Sequence, residues 1–163
     1  MSRSSPRSKK RQPFLRAMLL PLPPAAADRR SLKFHACLLT VRKDFGTTEH
    51  LVELASLMYV AWFLQRAGYG DLPLTEFHRA EQYMDLANQR GAENGVWSID
   101  DAGYPYFEHR LALHDQQIAA APAHAIVSAE DDLARFIAGT AQSPLPAVTP
   151  DHTSTVESGG AYP

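Results

Sequence analysis

The sequence predicts an all-α fold, a small irregular helical bundle around one central apolar helix at about residues 48–67. The fourteen residues from Leu51 to Leu64 include only two polar side chains, Glu53 and Ser56. A helix that is apolar nearly all round must be covered on most sides, and this segment is shorter than the ~20 residues that a bilayer crossing needs. Other segments repeat apolar residues at helical spacing, and we expect them to provide the cover.

Length and composition predict one domain with two disordered ends. The chain has 163 residues, of which 45% are hydrophobic and 21% charged, and most of its twelve prolines lie towards the termini. Segments rich in Pro, Ser, Thr or basic residues cannot bury enough apolar surface to fold. We therefore predict a disordered basic arm at 1–16, a single helical domain at 17–139 and a disordered tail at 140–163.

The first helix of the domain is predicted at about residues 25–42. Before it, the stretch 20–24 contains three prolines and should run extended as a strap across the body, because proline fixes φ and removes N–H donors. Six residues of the helix are predicted to form one broad apolar face: Leu32, Phe34, Ala36, Leu38, Leu39 and Val41.

The two middle helices have clear start and stop signals. Thr47 or Thr48 is a good N-cap for the central helix, and Gly68 is placed to end it. A third helix is predicted at 74–90, with Gly91 as its end. Four of its apolar residues recur at spacings of three and four, as an amphipathic helix requires: Phe77, Ala80, Met84 and Ala87.

The region that follows allows two interpretations. Residues 91–107 contain aromatic residues and turn-forming residues, and they predict either a short β-hairpin or an irregular aromatic loop. A fourth helix is predicted at 107–120. A fifth is predicted at 129–138, where Ser128 and Asp131 resemble a capping box with Asp in place of Glu or Gln.

Charge is divided unequally between the ends and the body. The arm has no acidic residue, and because the whole chain carries −2, the rest of it carries −8. The arm could bind nucleic-acid phosphates in a salt-dependent way, or it could be a solubilising terminus. The body lacks a helix with clustered cations for base recognition, since we expect Arg79, Arg90 and Arg110 to be isolated surface cations. The candidate nucleic-acid-binding residues are Arg3, Arg7, Lys9, Lys10, Arg11 and Arg16.

Two histidine–glutamate pairs raise the hypothesis of a metal site. His50 with Glu53, and His78 with Glu81, are spaced i, i+3, so each pair shares a helix face. Di-iron bundles use Glu-x-x-His, which is the opposite order, with further glutamates on facing helices. The pattern is more typical of solvated helix ends, so we expect no metal and no cofactor.

His114 is predicted to share a face with Leu111 and Ile118 of the fourth helix. It could be a general base paired with an acid such as Asp115, or a core-edge histidine whose nitrogens bond to the backbone. The single cysteine, Cys37, is predicted to be a packed and inert thiol, and its isolation fits a reducing compartment. We therefore expect a cytoplasmic protein.

Three aromatic residues of the irregular region are candidate partner contacts: Trp97, Tyr104 and Tyr106. Aromatic side chains on loops often contact partners. They also cap the ends of small helical cores, which is the interpretation that we favour here.

Several short segments together resemble a bacterial family. They are residues 17–23 (Ala-Met-Leu-Leu-Pro-Leu-Pro), the Gly-Thr-Thr at 46–48 and the Phe-Leu-Gln-Arg-Ala-Gly-Tyr-Gly at 63–70. Over roughly 17–138 the chain resembles small uncharacterised proteobacterial proteins sometimes labelled Fis-family transcriptional regulators. The resemblance implies DNA binding through a C-terminal helix-turn-helix. The last predicted helix departs from that pattern because it opens with three acidic residues at 130–132, so no functional residue is carried over.

The sequence as a whole favours a non-enzymatic helical interaction protein, with another protein or a second copy of itself as partner and no membrane association. It contains no Gly-x-Ser-x-Gly elbow, no phosphate-binding glycine loop and no Cys-x-x-Cys. A homodimer is expected if short helices leave part of the central helix uncovered. The alternatives are an accessory DNA-binding or transcriptional regulatory protein that uses the arm, and a small metal-dependent enzyme, which is disfavoured.

Overall fold

The architecture is an all-α bundle, as the sequence predicts. The computed structural model describes residues 16–147. A short 3-10 turn, Arg16–Leu19, precedes five α-helices, and no β-strand occurs in this part of the chain. None of the helices in this range is long and apolar enough to cross a bilayer. The helices are α1 (Pro24–Arg42), α2 (Thr48–Arg66), α3 (Leu74–Asn94), α4 (Tyr104–Ala120) and α5 (Ala123–Ile137).

The central position predicted for the apolar helix is confirmed. Helix α2 packs against all four other α-helices, and nine of its side chains between Leu51 and Leu64 are buried. Each large apolar side chain removed from water contributes about 1.5–3 kcal/mol, so this helix contributes more to the core than any other helix of the described residues. It starts after Thr47, whose backbone N–H donates to His50 Nδ1 at 3.2 Å, and it ends at Arg66.

Helix α1 has two apolar faces rather than the single broad face predicted. Phe34, Leu38 and Val41 are buried, whereas Leu32 and Leu39 are 70% and 52% exposed. At 3.6 residues per turn, the exposed leucines lie roughly half a turn away from the buried set. Helix α1 packs against α2 and α4 with its buried side, so its outer side is left uncovered.

Helix α3 runs past the glycine predicted to end it. Gly91 is buried inside the helix, and the chain leaves the helix at Gly95, which has a φ of 75° and caps the end. A Cβ on Gly91 would lie 2.2 Å from the indole ring of Trp97. Gly91 is thus required for close packing of Trp97 and not for helix termination, and the predicted end at residue 90 was wrong.

Helices α4 and α5 start earlier than predicted. Residues 95–103 form an irregular connection, which confirms the loop rather than the hairpin, and α4 begins at Tyr104 with a proline in its first turn. Helix α5 begins at Ala123, directly after Pro122, so Ser128 lies inside the helix. The predicted capping box was therefore wrong, because the start after Pro122, six residues upstream, takes its place.

Both ends of the domain are held against the body. In the predicted strap, the carbonyl of Leu20 accepts a hydrogen bond from the N–H of Ala123 at 2.8 Å, and Leu22 packs on the core. The predicted tail begins too early at residue 140. Leu145 is buried, and the carbonyl oxygen of Pro146 lies 2.9 Å from His78 Nε2.

Candidate functional site

A row of polar side chains is buried along one face of α4. Arg110, His114 and Gln117 are each no more than 2% exposed, and their spacing of four and three residues places them on one face. Buried polar groups normally have hydrogen-bond partners, and exceptions require an explanation. The prediction that Arg110 is an isolated surface cation was wrong, because its position borders the apolar stripe of α4 and is covered by α3.

The positive charge of Arg110 is compensated by Glu76 across the α3–α4 interface. Its Nη1 donates to Glu76 Oε2 at 3.3 Å and to the Tyr106 carbonyl at 2.8 Å, and its guanidinium lies 5.0 Å from the Phe77 ring centroid. Burial lowers the pKa of Arg110, while Glu76 acts in the opposite direction. Burial also pushes the pKa of Glu76 upward, but hydrogen bonds from His109 and Arg110 outweigh it and leave that pKa below its usual value. The pair therefore remains ionised and has a structural role.

Gln117 connects α4 to the end of α2. Its Nε2 donates to the carbonyl of Ala61 at 2.9 Å and to that of Tyr69 at 2.6 Å. The second bond holds the turn after α2, which Gln65 also holds through two hydrogen bonds with the backbone of Leu72. The Oε1 atom of Gln117 has no partner among the described residues, but the two bonds of Nε2 give this side chain a structural role.

His114 differs from these neighbours because its polar atoms have no protein partner. Within residues 16–147, neither ring nitrogen has a hydrogen-bond partner, although the side chain is only 1% exposed. Burial lowers the pKa of His114 to about 4, with Arg30 acting in the same direction and Asp115 opposing. The imidazole is therefore neutral at physiological pH, with one N–H donor and one acceptor nitrogen.

His114 lines a cavity between α1, α2, α4 and α5. The cavity has a volume of about 340 Å³, within the range of small-molecule pockets. Its apolar walls come from Phe34, Leu57, Val60 and Leu133, and the Phe34 ring meets His114 edge-on at 5.4 Å between centroids.

Two partly exposed ion pairs also line this cavity. Arg30 pairs with Glu130, which joins α1 to α5, and Lys33 pairs with Glu53 at 2.7 Å, which joins α1 to α2. Each charge of the lining thus has an opposite charge beside it. The result is an apolar, electrically balanced cavity with one unpartnered imidazole.

The two sequence hypotheses for His114 do not describe this environment. Asp115 pairs with His35, whose Nε2 lies 2.9 Å from Asp115 Oδ2, rather than with His114. His109 lies near Glu76 instead, with Nδ1 at 3.2 Å from Oε2. His114 is therefore neither bonded to the neighbouring acid nor satisfied by backbone groups. Its position beside Leu111 and Ile118 was the sequence signal for burial, and that signal carried no information about partners.

The outer face of α1 is the second candidate site. We define it as Leu32, Ala36 and Leu39, all exposed, with Asp28 and Lys43 exposed at its two ends. The spacings of four, four, three and four residues keep all five on one side of the helix. Among residues 16–147, neither Asp28 nor Lys43 forms an ion pair. This face is apolar at its centre and oppositely charged at its ends.

Of the four metal candidates, His78 and Glu81 lie together, with His78 Nδ1 3.7 Å from Glu81 Oε2, whereas His50 and Glu53 take part in separate local contacts. His50 caps α2, and Glu53 pairs with Lys33. His78 Nε2 lies near the carbonyl of Pro146, while Glu81 accepts a hydrogen bond from the Tyr59 hydroxyl at 2.8 Å. In the described range, no group of three or more His, Cys, Asp or Glu side chains could hold a metal ion.

The three aromatic candidates contact the body itself. The Trp97 ring packs against Gly91, as described above. The Arg42 guanidinium lies 4.0 Å from the Tyr104 ring centroid, and Tyr106 stacks on Tyr83 at 5.5 Å between centroids. All three are partly buried against the core, and their role as partner contacts stays a prediction.

The basic arm is mostly beyond the described range. Five of its cationic residues lie outside that range: Arg3, Arg7, Lys9, Lys10 and Arg11. Arg16 is exposed on the 3-10 turn.

Cys37 is buried as predicted. Burial raises the pKa of its thiol, with Glu53 acting in the same direction and Lys33 opposing.

Comparisons with protein families, with characterised proteins and with solved structures give no match to this chain.

Proposed function

We propose that this protein is a non-enzymatic helical interaction protein whose partner is a second copy of itself, docked through the outer face of α1. The observation that supports this proposal is the apolar stripe of Leu32, Ala36 and Leu39 on the side of α1 opposite the core. Two exposed leucines about two helical turns apart on one face, with Ala36 between them, form an apolar surface of the kind that partners cover. The single cysteine is our reason for proposing that this happens in the cytoplasm.

A second copy fits the charges at the ends of this face. In an antiparallel pairing of two α1 helices about a two-fold axis, one register brings Leu32 opposite Leu39 of the partner subunit. The same register brings Asp28 opposite Lys43 of the partner subunit, so opposite charges meet at both ends. Ala36 lies near the axis, where a small side chain lets two helices approach closely. One alignment thus matches both the apolar and the charged residues.

The proposal is tested by light scattering and sedimentation of the full chain from about 1 μM to about 1 mM, a range that covers weak and standard interfaces. We expect the mass to rise from one chain to two. Leu32→Glu should keep the protein monomeric, because a buried charge opposes docking. Leu86→Glu is the matched control, since Leu86 is 45% exposed on α3, and it should still dimerise.

A monomeric mass over the whole range would contradict self-association. Equal loss of dimer in Leu32→Glu and Leu86→Glu would show that the leucine on α1 has no special role. Circular dichroism of each variant establishes that the fold is intact before masses are compared.

A second candidate function is accessory DNA binding or transcriptional regulation through the basic arm. The observation that favours it is the separation of charge, with six cations and no acid in residues 1–16 and −8 on the rest. Such an arm would attach to phosphates with little sequence preference, leaving the acidic body free for other contacts.

A further inference from the structure

We propose that the cavity over His114 binds a small, uncharged and largely apolar molecule that carries one hydroxyl group, such as an alkylphenol. This site is separate from the proposed dimer face, because the cavity lies on the bundle side of α1. It does not depend on whether the protein dimerises.

The imidazole of His114 is the unsatisfied polar group of this cavity. A buried donor or acceptor without a partner destabilises the fold, so a fold that keeps one needs a reason. Among residues 16–147, both ring nitrogens of His114 have no hydrogen-bond partner, and the ring lines the cavity. A hydroxyl group can either donate or accept a hydrogen bond, so it can pair with a ring nitrogen whether that nitrogen is the donor or the acceptor of the neutral imidazole.

The walls define the rest of the ligand. Phe34 and Leu57 come from α1 and α2, and Leu133 comes from α5, so the body of the ligand meets apolar surface on several sides. The volume of about 340 Å³ suits a single ring with a short alkyl chain.

The charges of the lining argue against an ionised ligand. Arg30 is paired with Glu130, and Lys33 is paired with Glu53. An ionised ligand would have to separate one of these pairs, and it would leave the other member uncompensated. An uncharged molecule leaves both pairs intact.

The experiment is calorimetric titration of the full chain with 4-propylphenol and with propylbenzene, which differ only in the hydroxyl group. We expect 4-propylphenol to bind about tenfold more tightly, as one hydrogen bond to a buried group predicts. The ring nitrogen signals of His114 in ¹⁵N–¹H correlation spectra should shift with the phenol and much less with propylbenzene. Equal affinities, or no binding of the phenol at about 1 mM, would overturn the proposal.

Variants separate the imidazole from the cavity. In His114→Phe the two compounds should bind within about twofold of each other, because only the hydrogen bond is lost. His35→Phe is the matched control, since His35 is exposed on α1 outside the cavity, and it should keep the tenfold preference. Preference retained in His114→Phe would overturn the role of His114.

If His114→Phe does not fold, a second variant tests whether 4-propylphenol binds in this cavity. Leu133→Trp places a large ring in the cavity from a half-buried position on α5. It should weaken binding of 4-propylphenol by about tenfold or more. Unchanged affinity in folded Leu133→Trp would show that the compound binds elsewhere, and the proposal would be wrong.

Discussion

Glu76 and Arg110 form an ion pair between α3 and α4 in which the arginine is completely buried and the glutamate is 27% exposed. The Glu76 Oε2 atom lies 3.3 Å from Arg110 Nη1 and also 3.2 Å from His109 Nδ1. The carboxylate thus compensates a charge that has no contact with water. Two further nitrogens of Arg110, Nε and Nη2, have no partner among the described residues, so the pair is incompletely satisfied.

Removal of the carboxylate at position 76 is expected to be costly. Glu76→Gln leaves the Arg110 charge buried, and we expect a loss of about 2–3 kcal/mol in the free energy of unfolding, below the full value for a buried pair because Glu76 is partly solvated. Arg110→Met should cost less, since it removes the charge itself. Urea unfolding measures both, with Asp101→Asn as the exposed control. A smaller loss for Glu76→Gln than for Arg110→Met would contradict this interpretation.

The close contact between Gly91 and Trp97 should reverse the usual effect of a Gly→Ala substitution on stability. A mid-helix Gly→Ala change usually stabilises by about 0.5–1 kcal/mol, but here the new Cβ overlaps the indole, and we expect a net loss of about 1–3 kcal/mol. In a Trp97→Leu background, the same change should become stabilising because the ring is gone. Denaturant unfolding of the four proteins completes the cycle. Destabilisation by Gly91→Ala in both backgrounds would mean that Trp97 is not the obstacle.

His114 predicts a specific dependence of stability on pH. An unfolded histidine has a pKa near 6.5, whereas burial, aided by Arg30, lowers the pKa of His114 to about 4 in the fold. Between these two pKa values the unfolded chain binds a proton that the folded chain does not, so the free energy of unfolding falls as the pH drops through this window. Below the window both states are protonated, and His114 adds no further dependence on pH. The difference between the unfolded and folded pKa of His114 corresponds to a loss of about 3 kcal/mol in the free energy of unfolding across this window.

The contribution of His114 is isolated by comparing variants. Unfolding free energies measured between about pH 7.5 and about pH 4 should decrease less in His114→Phe than in the parent chain. Leu86→Phe, at an exposed position on α3 with no titratable group, is the control and should keep the parental slope. Parallel pH profiles for the parent and His114→Phe would show that the imidazole is not held neutral by the fold.

The charges at the ends of α1 provide a test of the register proposed for the dimer. Asp28→Lys and Lys43→Asp should each weaken dimerisation by about threefold to tenfold at low salt, because each affects two symmetry-related pairs. The double variant should recover affinity close to that of the parent. Asp71→Lys, on an exposed turn, is the control and should have no effect. Additive weakening in the double variant would exclude this register.

The arm is tested by fluorescence anisotropy with a random-sequence DNA duplex. We expect the full chain to bind, with an affinity that falls steeply as salt rises, and a 17–163 truncation to lose binding. A full-length variant with glutamine at the six cationic positions separates charge from length and should also fail to bind. Absence of binding by the full chain at low salt would remove the nucleic-acid candidate.

Local patterns in the sequence determined the fold class and the central helix. The apolar run from Leu51 to Leu64 implied cover on most sides, and in the structure α2 packs against four other helices while Val52 stays exposed. Thr47 and the proline-containing stretch 20–24 were sufficient to place the starts of α2 and α1 within one residue. These features depend on propensity and capping within a few residues, and such terms can be evaluated without knowledge of distant contacts.

Only the tertiary structure decided which polar and apolar positions are covered. Periodicity shows that Leu32 and Phe34 are both apolar, but it cannot say which of two opposite faces of α1 packs on the bundle. It shows that Gly91 can end a helix, but not that an indole six residues later needs the space. It shows His114 beside apolar residues, but not that the residue lines a cavity or that neither ring nitrogen has a partner among the described residues. Burial and hydrogen-bond satisfaction depend on residues far apart in the chain, so they arise only when the helices are packed.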